Sequence, residues 1–217
     1  MSRRLANLTL DNLSDLSPQC RSCVFWELDP AAADQADDGG LDKEAWVSDT
    51  LLEWGSCGQL LYVDEKAAGY ILYAPPAYVP RAGAFATSPV SPDAILLMTA
   101  RIQPEFTGAG YGRILVQGVA RDVLRRGIRA IEAFGRTGTP APEPDSPSNR
   151  QPTNRADKTT CMLPADYLLA VGFKTVRPHP QTPRLRLDLR STATWRADVE
   201  YAWERLFGSI QLPALSR

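Results

Sequence analysis

The sequence lacks a long apolar stretch, because no segment of its 217 residues reaches the roughly 18 consecutive apolar residues that span a bilayer. It also lacks a charge imbalance, since 24 basic residues face 25 acidic ones and give a formal net charge of -1. Without an excess of positive charge, no overall field attracts nucleic acid or an anionic membrane surface. We therefore expect a soluble, cytoplasmic protein that binds neither nucleic acid nor membranes.

Side chains that commonly bind metals are also scarce. The chain has one histidine, His179, and four cysteines, Cys20, Cys23, Cys57 and Cys161. Cys20 and Cys23 have the spacing of zinc ligands, but the second Cys-x-x-Cys that would complete a tetrahedral site is missing. With no export signal, free thiols that are buried or redox-sensitive are expected, and no metal. A zinc-binding regulatory protein stays open as an alternative, and His179, among prolines, is expected to be structural.

The apolar patterns predict a mixed α/β sheet of about seven strands with helices on both faces. A near-continuous apolar run at 94–102 is typical of a strand covered on both sides and is predicted to be the central one. The sheet is expected to be antiparallel at first and to splay after Ile102. The predicted strands cover residues 5–10, 59–63, 69–73, 94–102, 128–134, 173–176 and 185–189. A first helix is predicted from about residue 13, and further helices are predicted at 41–54, 112–126 and 163–171. Residues 31–40 are predicted to form a loop.

Two segments depart from this pattern. Residues 135–160 contain five prolines and almost nothing apolar, so we predict a mobile insertion at 136–160 within one domain of residues 1–190. Residues 191–217 are expected to form a C-terminal extension with one helix at 194–207, whose apolar residues lie along one stripe. The extension would be an appendage to the core or a docking surface. A homodimer stays open as an alternative to a monomer.

A glycine-rich loop, residues 107–113, lies between the buried strand and the helix that follows it. Three glycines at alternate positions let backbone NH groups approach an anion, and the helix N-terminus adds roughly half a positive charge. A pyrophosphate would suit this loop. No Lys-Ser or Lys-Thr follows the last glycine, as a nucleoside-triphosphate loop requires, and no acidic residue follows at the distance that dinucleotide binding favours.

The stretch from Ala100 to Arg113 resembles the acetyl-CoA motif of the GNAT N-acetyltransferase superfamily, commonly written Gln/Arg-x-x-Gly-x-Gly/Ala. Gly110 and Gly112 match this motif, and Thr107 stands where Gln or Arg is usual. The resemblance implies that the loop holds the pyrophosphate of acetyl-CoA, and that the main chain of the preceding strand pairs with the pantetheine arm. The implied pyrophosphate residues are Gly108, Ala109, Gly110, Tyr111, Gly112 and Arg113, and the implied pantetheine residues are Ala100, Arg101 and Ile102.

Two further stretches are similar to this superfamily. Residues 167–173 look like its late helix ending in Gly-Phe, with Gly172 and Phe173 in those places. The N-terminal Cys-x-x-Cys-x-x-Trp-Glu, residues 20–27, resembles a bacterial subgroup of GNAT-like proteins. The resemblance implies a GNAT-like sheet over most of the chain.

Acetyl transfer to an amine needs a neutral amine and then an acid for the departing thiolate. Glu132, a charged residue in an apolar strand, stands where some GNAT N-acetyltransferases place the general base. Glu105, beside the glycine loop, is the second candidate, and Tyr167 is the candidate acid, one residue from the usual position. The expected activity is transfer of an acetyl group from acetyl-CoA to a small-molecule or protein amine. The alternative is a non-catalytic acyl-CoA sensor or interaction module.

Overall fold

A computed structural model of the chain describes residues 2–138 and 161–189. An eight-stranded mixed sheet runs in the order β1-β2-β3-β4-β5-β8-β7, and β6 pairs with β5 off this path. The strands are β1 Arg3–Asn7, β2 Gly58–Val63, β3 Lys66–Ala74, β4 Ala94–Ile102, β5 Ala130–Arg136, β6 Leu163–Pro164, β7 Lys174–Arg177 and β8 Arg184–Asp188. The helices are α1 Pro18–Arg21, α2 Pro30–Gln35, α3 Gly39–Glu53, α4 Tyr111–Arg125 and α5 Ala165–Ala170.

The predicted fold class is confirmed, because the sheet is mixed and open and carries helices on both faces. The strands predicted at 59–63 and 69–73, which pair as a hairpin, lie close to their predicted bounds. The same holds for the buried strand at Ala94–Ile102 and the long helix after the glycine loop. Almost all of the predicted insertion at 136–160 lies outside the described residues. The predicted helix at 194–207 lies wholly outside them. No helix in the described ranges is long and apolar enough to cross a membrane.

Three local predictions were wrong. The predicted loop at 31–40 contains α2, which forms because Pro30 opens it and the Asp29 carboxylate accepts hydrogen bonds from its first free amides. The helix predicted from residue 13 is only a 3₁₀ turn, after which α1 begins at Pro18. The helix predicted at 163–171 begins two residues late, because Leu163 and Pro164 pair with β5 as an eighth strand.

The sheet separates two hydrophobic layers. Helix α4 covers one face and buries Leu115, Val119 and Val123 against β2, β3 and β4. On the other face Trp26 stacks on Phe85, with ring centroids 5.5 Å apart, and the centroids of Phe85 and Phe134 are 4.3 Å apart. Each such aromatic pair contributes about 0.5–1.5 kcal/mol beyond the burial of its area. Stacked aromatic side chains therefore stabilise the packing on the face opposite α4.

Strands β4 and β5 touch over a very short distance. Their parallel pairing covers only three residue pairs, from Ala94 opposite Ala130 to Leu96 opposite Glu132. Just beyond, the ladder between β3 and β4 steps from Leu97 to Thr99, so that Met98 is an extra residue in β4. A bulge of this kind bends and twists its strand. The sheet thus opens into a V after Leu96, six residues earlier than the predicted splay.

Candidate functional site

The glycine loop lies at the open end of the V, between β4 and α4. After Ile102 the chain makes a 3₁₀ turn at Pro104–Phe106, and the Thr107 hydroxyl donates a hydrogen bond of 2.8 Å to the Pro104 carbonyl. Gly108 and Gly110 then have φ of +81° and +75°, the left-handed region in which a side chain is strained. The two glycines are therefore required by the path of the loop.

The start of α4 presents free amides to this loop. Gly110 is the N-cap residue and has no side chain to bond them, and its carbonyl accepts from the amides of Arg113, at 3.1 Å, and Ile114, at 3.4 Å. The amides of Tyr111 and Gly112 belong to the first turn, whose donors lack partners inside the helix. A Cβ built at Gly108 or Gly110 would meet no atom within 4 Å. The loop thus leaves space for an anion in front of a helix N-terminus.

Helix α5 packs against this same first turn through Tyr167. A Cβ at Gly112 would lie 2.7 Å from the Tyr167 hydroxyl, so only glycine fits there with the phenol in place. This hydroxyl is buried and has no hydrogen-bond partner among the described residues. Burial raises the pKa of Tyr167, so the phenol keeps its proton and stays a donor. An unpartnered donor therefore lies beside the free amides.

The predicted pantetheine residues lie on the edge of β4 that faces the V. Ala100, Arg101 and Ile102 pair with β3 on one side, while the described pairing with β5 ends at Leu96. Among the described residues no strand pairs with their opposite backbone edge, so this edge can pair with an extended ligand that carries amide groups. The Arg101 guanidinium donates instead to Gln19, at 3.2 Å. Only the main chain of Arg101 is thus offered to the V.

Glu132 lies at the vertex of the V, inside an ion-pair network. Its carboxylate is fully buried and accepts from the guanidinium groups of Arg184, at 2.6 Å, and Arg186, at 3.1 Å, and from the amide of Ser91, at 3.1 Å. Arg186 also binds Asp93 through two bonds of 2.9 Å. These bonds hold the pKa of Asp93 below its usual value. The predicted base is thus surrounded by cations.

Sequence reasoning missed both arginines of this network. They alternate along β8, where Arg186 pairs directly with Glu132 across the ladder between β5 and β8. Arg186 in the last predicted strand, and Arg184 just before it, could have indicated a partner for a carboxylate in an apolar strand. The register that joins them was not evident from either segment alone. Cross-strand pairing therefore decides the surroundings of Glu132.

The other two titratable candidates lie apart from this network. Glu105 is exposed in the 3₁₀ turn before the glycine loop. His179 Nδ1 accepts from the amides of Gln181, at 3.2 Å, and Thr182, at 3.0 Å. These bonds hold the loop before β8, as expected of a structural histidine.

The cysteines form a separate cluster on the face opposite α4. Cys20, Cys23 and Cys161 line a small cavity together with Trp26, Leu72, Thr99 and the buried ion pair of Glu27 and Lys43. The sulfur atoms of Cys23 and Cys161 are 2.9 Å apart. Cys57 is buried elsewhere in the core. No group of three or more His, Cys, Asp or Glu side chains suited to a metal is found in ranges 2–138 and 161–189.

No protein-family model and no curated protein matches the chain. Solved structures do match. An N-acetyltransferase from Staphylococcus aureus Mu50 is 10% identical with a TM-score of 0.53, over 87% of this chain and 99% of that one. The yncA protein of Salmonella typhimurium, solved with acetyl-CoA, is 10% identical with a TM-score of 0.52, over 87% and 95%. The PaiA N-acetyltransferase of Thermoplasma acidophilum, solved with coenzyme A, is 12% identical with a TM-score of 0.51, over 87% and 99%. These likenesses show the GNAT fold.

Proposed function

We propose that the chain binds acetyl-CoA and transfers its acetyl group to an amine. The observation that carries this proposal is the open edge of β4, which leads from the vertex of the V to a helix N-terminus with free amides. An extended ligand with amides at one end and a pyrophosphate at the other would match both features. Two of the solved structures that share the fold hold coenzyme A or acetyl-CoA.

The two ends of this site would bind different parts of the ligand. The pyrophosphate would lie on the amides of the loop from Gly108 to Arg113, where the helix N-terminus favours negative charge. The pantetheine arm would pair with the main chain from Ala100 to Ile102 and extend toward the vertex. The amine, once neutral, would attack the thioester carbon and the thiolate of coenzyme A would leave.

Tyr167 suits a binding role better than the predicted acid role. Its hydroxyl contacts Gly112 in the proposed pyrophosphate cradle, whereas an acid for the departing thiolate would have to lie near the thioester end. A protonated phenol beside that cradle can donate a hydrogen bond to a phosphate oxygen or to the adjoining part of the coenzyme. We therefore assign to Tyr167 the positioning of the coenzyme.

Replacing Tyr167 with Phe tests this assignment. The variant should unfold at the same denaturant concentration as the parent or a higher one, because it removes a buried hydroxyl that lacks a partner. It should bind coenzyme A about 10- to 150-fold more weakly, since one hydrogen bond to a charged group contributes about 1.5–3 kcal/mol. Calorimetric titration and urea denaturation measure the two effects. An unchanged coenzyme affinity would remove the positioning role, whether or not the rate at saturation falls.

A non-catalytic acyl-CoA-binding protein is the second candidate, and the ion pairs of Glu132 favour it. The Glu132 carboxylate oxygens already accept hydrogen bonds from two guanidinium groups and an amide, so they are engaged within the fold and not free to contact an amine. Release of coenzyme A from acetyl-CoA in the presence of a panel of amines and peptides separates the two functions. Binding with no release above the rate without protein would establish the sensor, and no binding would refute both.

A further inference from the structure

The cysteine cluster is not used by the proposed acetyl transfer. Cys23 and Cys161 are 138 residues apart in sequence, yet their sulfur atoms lie 2.9 Å from each other in a small, partly open cavity. Trp26 fixes this approach, because its indole NH donates to the Cys161 carbonyl at 3.3 Å. We propose that Cys23 and Cys161 form a redox-active dithiol site that reacts with a hydroperoxide and closes to a disulfide.

The two thiols differ in exposure in the way this reaction requires. Cys23 is partly exposed, whereas Cys161 is buried with only 8% of its surface accessible. The hydrogen bond from Cys161, with smaller contributions from the Phe25 backbone and from Lys43, lowers the pKa of Cys23 to about 7 against the opposing effects of burial and Glu27. The same hydrogen bond and burial raise the pKa of Cys161, which therefore stays a thiol. Cys23 is thus the attacking thiolate and Cys161 the resolving thiol.

The reaction balances with a hydroperoxide as the only co-reactant. The Cys23 thiolate attacks the terminal peroxide oxygen and breaks the O–O bond, which leaves a sulfenic acid at Cys23 and releases an alcohol, or water from hydrogen peroxide. The Cys161 sulfur then attacks the Cys23 sulfur and forms the disulfide. The sulfenic hydroxyl leaves as water together with the proton of the Cys161 thiol. Two thiols are oxidised, one peroxide is reduced, and one disulfide forms.

Two other thiols provide the comparison. Cys57 is fully buried, and burial raises the pKa of its thiol to about 12, so it should not react. Cys20 lines the same cavity and is the competitor for pairing with Cys23. Cys161 is favoured as the partner because its sulfur contacts that of Cys23. The disulfide would join the N-terminal segment to the residues just before β6.

The test is oxidation of the full chain with a small excess of hydrogen peroxide. We expect the four free thiols to fall to two, the mass to fall by two hydrogen atoms, and peptide mapping to place the bond between Cys23 and Cys161. The rate should be roughly tenfold higher at pH 8 than at pH 6, following the thiolate fraction of Cys23. Cys57→Ala and Cys20→Ala should behave as the parent chain does.

Two variants confirm the roles of the thiols. Cys161→Ala should stop at a sulfenic acid on Cys23 that dimedone traps, and Cys23→Ala should keep its remaining thiols free. Should a variant fail to fold, the map of the parent chain decides on its own. A bond between Cys20 and Cys23, or four thiols that survive the peroxide, would overturn the proposal. None of these measurements depends on coenzyme binding.

Discussion

Replacing Gly110 with Glu is expected to weaken coenzyme A binding by at least about 100-fold while the protein stays folded. The new side chain enters open space, so no clash unfolds the loop, and the left-handed backbone adds only about 1–2 kcal/mol of strain. Its carboxylate would bind the free amides of Tyr111 and Gly112 in place of a phosphate and would repel the pyrophosphate of coenzyme A. Isothermal titration calorimetry with coenzyme A measures the loss.

Gly127 offers a matched control at the other end of the same helix. It also has a positive φ, of +77°, and a Cβ built there meets no atom within 4 Å. Gly127→Glu therefore adds the same charge and a similar strain about 22 Å from the proposed site. We expect it to keep the coenzyme affinity of the parent chain. Equal losses in Gly110→Glu and Gly127→Glu, or no loss in either, would exclude the loop as the pyrophosphate site.

Replacing Glu132 with Gln is expected to destabilise the fold by about 3–5 kcal/mol, the usual cost of removing one partner from a buried ion pair. Arg186 would keep its two bonds to Asp93 and one to Asp188. The only acidic partner of Arg184 among the described residues is Glu132, so its nearly buried guanidinium would be left unpaired. Urea denaturation monitored by tryptophan fluorescence measures the change.

A second substitution separates the structural role from a catalytic one. Adding Arg184→Met to Glu132→Gln removes the unpaired cation and should recover most of the lost stability, since an apolar replacement of a buried pair is often neutral. The general-base hypothesis predicts a loss of roughly 10² to 10⁴ in rate at pH 7 that persists after Arg184→Met has restored the stability. A rate that recovers together with the stability would assign Glu132 a structural role.

The elements that the sequence predicts well are those whose pattern is local. The buried run at Ala94–Ile102 has 9 residues and the amphipathic helix after the glycines has 15, so each signal is local, and both elements lie close to their predicted bounds. Helix α2 was missed because small and acidic residues resemble a loop, and only Asp29 and Pro30 at its start indicate a helix. The bulge at Met98, which sets where the V opens, comes from pairing with β3 and has no local pattern.

The same distinction applies to the site. The place of the glycine loop between β4 and α4 could be predicted, because closely spaced glycines between a strand pattern and a helix pattern favour a backbone cradle at a helix start. The environment of Glu132 could not, since its partners come from β8, some 50 residues later. The Cys-x-x-Cys spacing suggested that Cys20 and Cys23 act together, whereas the fold brings Cys161 against Cys23. Contacts between distant segments thus decide the chemistry that a local motif only suggests.

The three-pair junction between β4 and β5 also bears on how the chain folds. Strands β2, β3 and β4 and helix α4 come from one continuous segment, and the tight turn at Asp64 and Glu65 closes its first hairpin. By contrast, the residues that pair β1 with β2, and β5 with β8, are fifty or more apart in sequence. Local contacts cost less loop-closure entropy, so we expect the segment 58–125 to fold first and its amides to exchange most slowly with deuterium. With only three residue pairs across the junction, we expect the amides of β5, β8 and β7 to exchange faster than those of β2, β3 and β4. A ligand that bridges the V should slow the exchange of β5, β8 and β7.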